Sequence, residues 1–374
     1  NMEAMRANLK EGTEMIGVVK ADGYGHGSVP VACAIDSYVS GYATATPEEA
    51  VILRKHGITK PILILGVSPE SSFSQLIEYD LRPAIFRYES AERLSELAVQ
   101  AGKRASIHIA LDTGMSRIGY MVTAAAADET ARISRLPGIR IEGLFTHFAR
   151  ADEKDKGATD SQMELFTTFV SMLSERGVTI PVLHCSNSAG ILELPKANFN
   201  AVRAGISIYG LYPSDEVEKE PVRLIPAMEL KSTITYLKTI APGTPVSYGG
   251  TFTAERETSI ATIPIGYGDG YPRALSGRAD VLIRGRRARI LGRVCMDQLM
   301  VDTTDIPEAE EGDEVTLIGK DGEEEITVEE LARIGGGFHY EILCDIGKRV
   351  PRVYIEAGKV VGKKDYFDDI YEGF

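Results

Sequence analysis

The sequence predicts an α/β protein: a (β/α)8 barrel of the TIM type over residues 1–222, followed by a mainly β domain over residues 223–374. Three observations predict it. As far as about Pro213, short apolar runs alternate with helix-like stretches, the pattern of right-handed βαβ units on a parallel sheet. Beyond Pro213, β-branched runs follow one another at hairpin spacing, punctuated by Gly and Pro. Polar side chains also collect at the C-terminal ends of the early runs, where a closed barrel assembles its site. No G-x-G-x-x-G turn follows the first run, which argues against an open doubly wound sheet.

Taken in order, Asn1 to Asn8 reads as a helix already under way, with no initiator methionine, as expected of a chain cut from a longer one. Strands are expected over 16–21, 41–45, 61–66, 82–86, 107–112, 141–148, 182–187 and 202–209. Helical periodicity places helices over 47–56, 90–101, 124–135 and 160–176. A charged stretch, 214–223, reads as a linker. The second domain should carry strands over 230–240, 259–266, 280–284, 287–294, 299–303, 314–318 and 352–355, interrupted by one helix over 327–334. No internal repeat or low-complexity segment is present.

A chain of 374 residues with 44% hydrophobic and 25% charged residues is ordinary for a globular protein of one large and one smaller domain. A net charge of −13 disfavours nucleic acid and anionic membrane surfaces as partners. No apolar stretch is long enough to span a bilayer, and no signal peptide is recognisable. Cys33, Cys185, Cys295 and Cys344 are scattered without a C-x-x-C pair, so neither a disulfide framework nor a metal site is expected, and the compartment is a reducing, cytoplasmic one.

The chemistry centres on Lys20. It closes the run Ile16-Gly17-Val18-Val19 and precedes the glycine-rich Ala21-Asp22-Gly23-Tyr24-Gly25-His26-Gly27. A lysine at a buried strand end is costly unless paired or neutralised. A Schiff base with a carbonyl cofactor neutralises it. A surface lysine after an edge strand is the ordinary alternative. Other polar residues fall at equivalent places: Tyr24 after the first strand, Asp112, Thr113, Gly114 and Arg117 after the fifth, His147 at the end of the sixth, Asn187 and Ser188 after the seventh, Arg203 and Gly205 on the eighth. Singly, Asp112 and Ser188 read as helix caps and His147 as a core histidine. Coincidence at five strand ends makes the joint reading a site.

The strings 18–27, Leu111-Asp112-Thr113-Gly114-Met115-Ser116-Arg117-Ile118-Gly119, 143–148, Asn187-Ser188, 202–210, Val246-Ser247-Tyr248-Gly249, 263–271, 292–298 and Arg349-Val350-Pro351-Arg352 together resemble the alanine racemases over both domains. The resemblance implies pyridoxal 5'-phosphate (PLP) on Lys20. It implies a phosphate cradle of backbone N–H groups at Ser188, Gly205 and Ile206, with the Ser188 hydroxyl, the Tyr24 phenol, Asn187 and Lys348 nearby. Arg203 would face the pyridine nitrogen, and His147 would lie near the ring, bonded to Arg203 and Tyr248. Lys20 and Tyr248 would be the two bases, Tyr248 coming from the partner subunit of a head-to-tail homodimer. Arg117 and the Met296 N–H would take the carboxylate of a small amino acid, and Tyr267, Arg273 and Asp297 would line the entrance. Relative to that family, a first strand is missing before Asn1.

Two positions depart from the pattern. Where many family members carry a carbamylated lysine, this chain has Ala110, and where a tyrosine usually precedes Arg349 it has Lys348. The second change makes serine the alternative substrate, as in the catalytic half of membrane-anchored, vancomycin-resistance-type serine racemases. PLP-dependent decarboxylases of related fold fit less well, because their cysteine motif and glycine-rich phosphate loop are not apparent. A PLP carrier built on a barrel alone is disfavoured by the second domain and Tyr248.

Overall fold

The computed structural model describes residues 1–365. The chain divides into two compact units. The first comprises Asn1–Gly23 and Ser28–Pro226; the second takes Tyr24–Gly27 together with the described residues from Ala227 onward.

The first unit is a closed barrel of eight parallel strands: β1 Glu14–Val18, β2 Gly41–Thr44, β3 Ile62–Ile64, β4 Arg82–Ile85, β5 Ala105–Asp112, β6 Ile139–Phe145, β7 Val182–His184 and β8 Ala201–Ala204. Each pairs with the next, and β8 returns to β1 through Ile16 opposite Arg203. The runs are apolar throughout because both faces are covered; in β5 every residue from Ala105 to Leu111 is buried. Between them run helices α1 Met2–Ala7, α2 Ser28–Ile35, α3 Pro47–Lys55, α4 Phe73–Glu78, α5 Tyr88–Gln100, α6 Ala124–Ile133, α7 Gly157–Glu175 and α8 Ser188–Glu193. Threonines start two of them: the Thr46 hydroxyl accepts from the Glu49 N–H, and that of Thr123 from the Ala126 N–H.

The expected strand ends shift where the backbone turns early. The run predicted over 16–21 stops at Val18, because residues from Ala21 on take positive φ. The run predicted over 202–209 stops at Ala204, since Gly205 (φ −114°, ψ −112°) breaks it and a 3-10 turn, Ile206–Tyr209, follows.

The second unit is an antiparallel sheet of eight strands: β9 Leu230–Thr233, β10 Tyr236–Ile240, β13 Thr258–Ile263, β14 Asp280–Ile283, β15 Arg286–Leu291, β16 Leu299–Asp302, β17 Glu314–Asp321 and β18 Glu324–Ile326. Two hairpins stand beside it, β11 Pro245–Val246 with β12 Phe252–Thr253, and β19 Arg352–Glu356 with β20 Lys359–Lys364. Ile240, Val246, Ala254, Ile260 and Leu291 form one buried cluster, covered by Phe252 and Met300. The single run predicted over 230–240 is two strands, separated at Ile234 and Thr235. Helices α9 Val328–Gly335 and α10 His339–Asp345 complete the unit. The end of the predicted second domain, 366–374, lies outside the described residues. No helix among the described residues is long and apolar enough to cross a membrane.

Candidate active site

Half-buried Lys20 sits just past the end of β1. The Val18 carbonyl accepts from the Tyr209 hydroxyl at 3.0 Å. The chain then turns left-handed, with φ of 52°, 51°, 62° and 51° at Ala21, Asp22, Gly23 and Tyr24. For a residue with a Cβ that conformation costs about 1–2 kcal/mol, so surrounding contacts must impose it. Glu49 of α3 supplies them. Its carboxylate accepts from the Ala21 N–H at 2.6 Å and the Ala45 N–H at 2.8 Å. Asp22 accepts from the Ser28 N–H at 2.9 Å, and Gly23 donates to the Val19 carbonyl at 2.9 Å.

Arg203 is the most enclosed cation of the first unit, at 2% exposure. Its Nη1 donates to His184 Nδ1 at 2.6 Å and to the His184 carbonyl at 3.0 Å. Its Nη2 donates to the carbonyls of Thr146 (2.7 Å) and Cys185 (2.8 Å) and faces His147 Nδ1 at 3.4 Å. Burial pulls this guanidinium down to about 10, which leaves it charged near neutral pH. His147 keeps some surface exposure, yet protein encloses its ring on most sides. That burial, with Arg203, Arg117 and Lys20 adding positive potential, lowers its pKa to about 3. The ring is therefore neutral at neutral pH, and Nδ1 is the nitrogen available to accept from Arg203.

The phosphate side predicted from the sequence assembles around Ser188. Its buried hydroxyl accepts from the Gly205 N–H at 3.0 Å and the Ser207 N–H at 3.3 Å. With both lone pairs engaged, the hydroxyl proton is left to donate elsewhere. Asn187 caps α8 by accepting from the Gly190 N–H at 3.1 Å, and Ile206 opens the 3-10 turn. After β5, Asp112 accepts from the N–H groups of Gly114 (3.0 Å) and Ser116 (2.9 Å), shaping the loop that carries the exposed Arg117. Gln162 of α7 ties this loop to the next by donating to Thr113 Oγ1 (3.2 Å) and the His147 carbonyl (3.1 Å). Ala110 lies in an apolar cluster with Ala84 and Phe145, flanked by Leu65 and Phe86, so no charged group occupies that position.

The remaining expected residues belong to the second unit. Tyr24, only four residues after Lys20, is buried there, its ring centroid 6.2 Å from that of Tyr340. Tyr248, Met296 and Asp297 line one depression of about 700 Å³ with Ser247, Gly249, Cys295 and Gln298. Tyr248 is 69% exposed and Met296 52%, so both side chains are presented outward. The Tyr267 N–H donates to the Cys295 carbonyl at 3.0 Å, and the Gly268 N–H to that of Met296 at 2.8 Å. Arg349 clamps this segment, contacting Asp297 at 2.7 Å and Asp269 at 3.0 Å. Lys348 is exposed beside it in sequence, and Arg273 is exposed at the start of the turn Arg273–Leu275. Among the described residues, no group of three or more His, Cys, Asp or Glu side chains is placed to hold a metal ion.

Sequence reasoning missed His184, Glu49 and the Arg349 clamp. His184 had a legible signal, a polar residue inside a short strand two positions after an apolar start. Glu49 had none, because its role depends on α3 packing beside the Lys20 turn.

Residues 1–213 match the family described as alanine racemase, N-terminal domain, and residues 227–354 match alanine racemase, C-terminal domain. The chain is 47% identical over 367 residues to alanine racemase 1 of Clostridium acetobutylicum, covering 98% of this chain and 95% of that one. It is 45% identical to the alanine racemase of Desulforamulus reducens, covering 95% of this chain and 97% of that one. Among solved structures it is similar to the alanine racemase of Clostridium difficile 630 (TM-score 0.94, 40% identity, 98% and 95% coverage). It is also similar to that of Bacillus anthracis with bound L-Ala-P (TM-score 0.92, 38% identity, 99% and 97% coverage).

Proposed function

The chain belongs to the alanine racemase family, whose members are PLP-dependent isomerases, and we propose that it interconverts L- and D-alanine with Lys20 and Tyr248 as its two bases. The residues of the first unit fit PLP. A buried cation, Arg203, is held so that it can only donate, and the Ser188 hydroxyl has already accepted two N–H groups and keeps its proton for an anion. In this reading Lys20 carries the cofactor aldehyde. Ser188, Ile206, Asn187, Tyr24 and Lys348 would hold the phosphate end, the Gly205 N–H being spent on the Ser188 hydroxyl it positions rather than on the phosphate, and Arg203 with His147 would serve the ring.

PLP, when bound, supplies the electron sink that makes the substrate α-proton acidic. Racemisation then needs a proton taken from one face and one returned to the other. Lys20 would exchange a proton at Nζ on one face of the substrate. Tyr248 exchanges one at its phenolic oxygen from the opposite face. We place Tyr248 on a partner subunit of a homodimer; its exposure at the rim of a depression with Met296 and Asp297 supports that placement. Arg117 and the Met296 N–H orient the carboxylate, and Tyr267, Arg273 and Asp297 border the entrance. Arg203 stays charged and accepts no proton, so it would serve the ring of bound PLP as a hydrogen-bond donor and not as an acid, which would temper the sink and favour simple return of the proton.

The observation that carries this assignment is the locking of Arg203 by His184, Thr146 and Cys185 on the strand beside β1. Borohydride reduction of the PLP-loaded protein, followed by peptide mapping, is expected to find the pyridoxyl group on Lys20; label on another lysine would overturn the scheme. Serine is not favoured as the substrate, since the relatives are named alanine racemases. The ratio of kcat/KM on L-alanine to that on L-serine should exceed one and stay above one in Lys348→Tyr.

A further inference from the structure

Beyond His184, which locks Arg203, two polar side chains of the barrel, His108 and Glu142, take no part in the mechanism above. His184 Nε2 lies 2.8 Å from His108 Nδ1, and His108 Nε2 lies 3.8 Å from Glu142 Oε2. At 3.8 Å that last approach is an electrostatic contact, longer than a hydrogen bond. Glu142 is itself gripped: Arg82 Nε donates to Oε2 at 3.0 Å and Arg140 Nη2 to Oε1 at 3.0 Å, while Asp80 pairs with Arg82 from the far side. Both rings are buried. They have room because residue 143 is glycine; a Cβ there would overlap the His108 imidazole.

The direction of every bond follows from elementary donor and acceptor chemistry. Arg203 can only donate, so His184 Nδ1 accepts and its proton sits on Nε2. That N–H donates to His108 Nδ1, which places the His108 proton on Nε2, aimed at the carboxylate. The result is a one-way chain from a cation to an anion: Arg203, His184, His108, Glu142. Burial holds both histidines below their ordinary pKa, in keeping with neutral rings. The chain runs away from Lys20. Its anionic end borders a cavity of about 390 Å³ lined by Glu14, Gly41, Arg82 and Ala201, the residues that open β1, β2, β4 and β8.

We propose that Glu142 and His108 are positioning residues, which through a single enforced tautomer of His184 keep Arg203 a committed donor at the other end of the barrel. This inference rests on the reading that Arg203 serves the cofactor ring. A glutamine at 142 can offer its amide N–H to His108 Nε2. That favours the opposite tautomer of His108, which would drive a His184 Nδ1–H against the Arg203 guanidinium.

The test uses the cofactor-free protein with ¹⁵N-labelled histidine; only six histidines contribute, and His108→Gln and His184→Gln assign the signals. The parent is expected to show both His108 and His184 as neutral Nε2–H tautomers at neutral pH. An Nδ1–H tautomer at His184, or a charged His108, overturns the proposal. Glu142→Gln is expected to transfer His108 signal towards the Nδ1–H form, and a folded variant with the parent tautomer also overturns it. If that variant does not fold, Glu142→Asp, one methylene shorter, draws the carboxylate away from His108 and should produce the same shift in smaller degree. In the PLP-loaded variant, conversion of bound cofactor to its amine form per turnover is expected to rise. A tautomer shift without that rise leaves the relay standing and removes Arg203 from the cofactor.

Discussion

Three histidines of the first unit, His108, His147 and His184, are enclosed in a way that suits only the neutral ring, and acid should reveal it. Burial is the leading cause of the lowered pKa of each. In the unfolded chain they protonate near 6.5, whereas His147 in the folded protein holds out to about 3. Below 6.5 the unfolded state therefore binds more protons than the folded one, and stability falls with pH. The loss is up to about 1.4 kcal/mol per pH unit for each such group. Glu142 acts in the same direction at lower pH. The adjacent His108 and then, against opposing burial, Arg82 hold its carboxyl at about 2, so its contribution is present above about 4.5 and is lost as pH falls towards 2. Urea unfolding at pH 7, 6 and 5 is expected to show a steep decline, with a shallower slope in His184→Gln. A flat profile would mean that these rings are solvated and free to charge.

Backbone conformation is decided at the level of elements, and the turn after β1 is the case with most at stake. Its left-handed residues persist because the Glu49 carboxylate from α3 and Asp22 take the N–H groups that the turn exposes. Glu49→Ala is expected to lower unfolding stability by about 1–3 kcal/mol and to reduce kcat more than KM, since Lys20 would lose its fixed departure angle. Steady-state kinetics beside urea melts separate the two effects. On β6, Gly143→Ala should cost about 1–3 kcal/mol, because the buried His108 ring cannot swing clear of the added methyl. Differential denaturation of the purified variant measures it. Most strands were legible as apolar runs, but their ends were not. The sequence over 202–209 reads as one strand because Ile206, Ile208 and Tyr209 are as apolar as Val202, and only the backbone of Gly205 shows where pairing stops.

For the molecule as a whole, the proposed sharing of sites between subunits makes a simple prediction. Lys20→Ala and Tyr248→Phe chains should each be inactive. In an equal mixture that re-equilibrates, half the dimers are mixed and one site in each holds both intact bases, so activity should return to about a quarter of the parent level. Activity measured beside a tag-based assay for mixed dimers checks it. No recovery despite demonstrated mixed dimers would place both bases on one chain.

The sequence by itself determined the barrel, the β domain and which polar residues lie in or just after the apolar runs. These follow from periodicity and from side-chain type, which are local properties of a string. It marked Lys20, His147, Ser188 and Arg203 because each sits at the end of an apolar run or within one. The partners that give these residues their character came only with tertiary structure: Glu49 beneath the Lys20 turn, His184 and three carbonyls around Arg203, and the two N–H groups on Ser188. A buried charge or hydroxyl depends on which donors and acceptors folding brings within about 3 Å, and those contacts join residues from 17 to 57 positions apart in the chain.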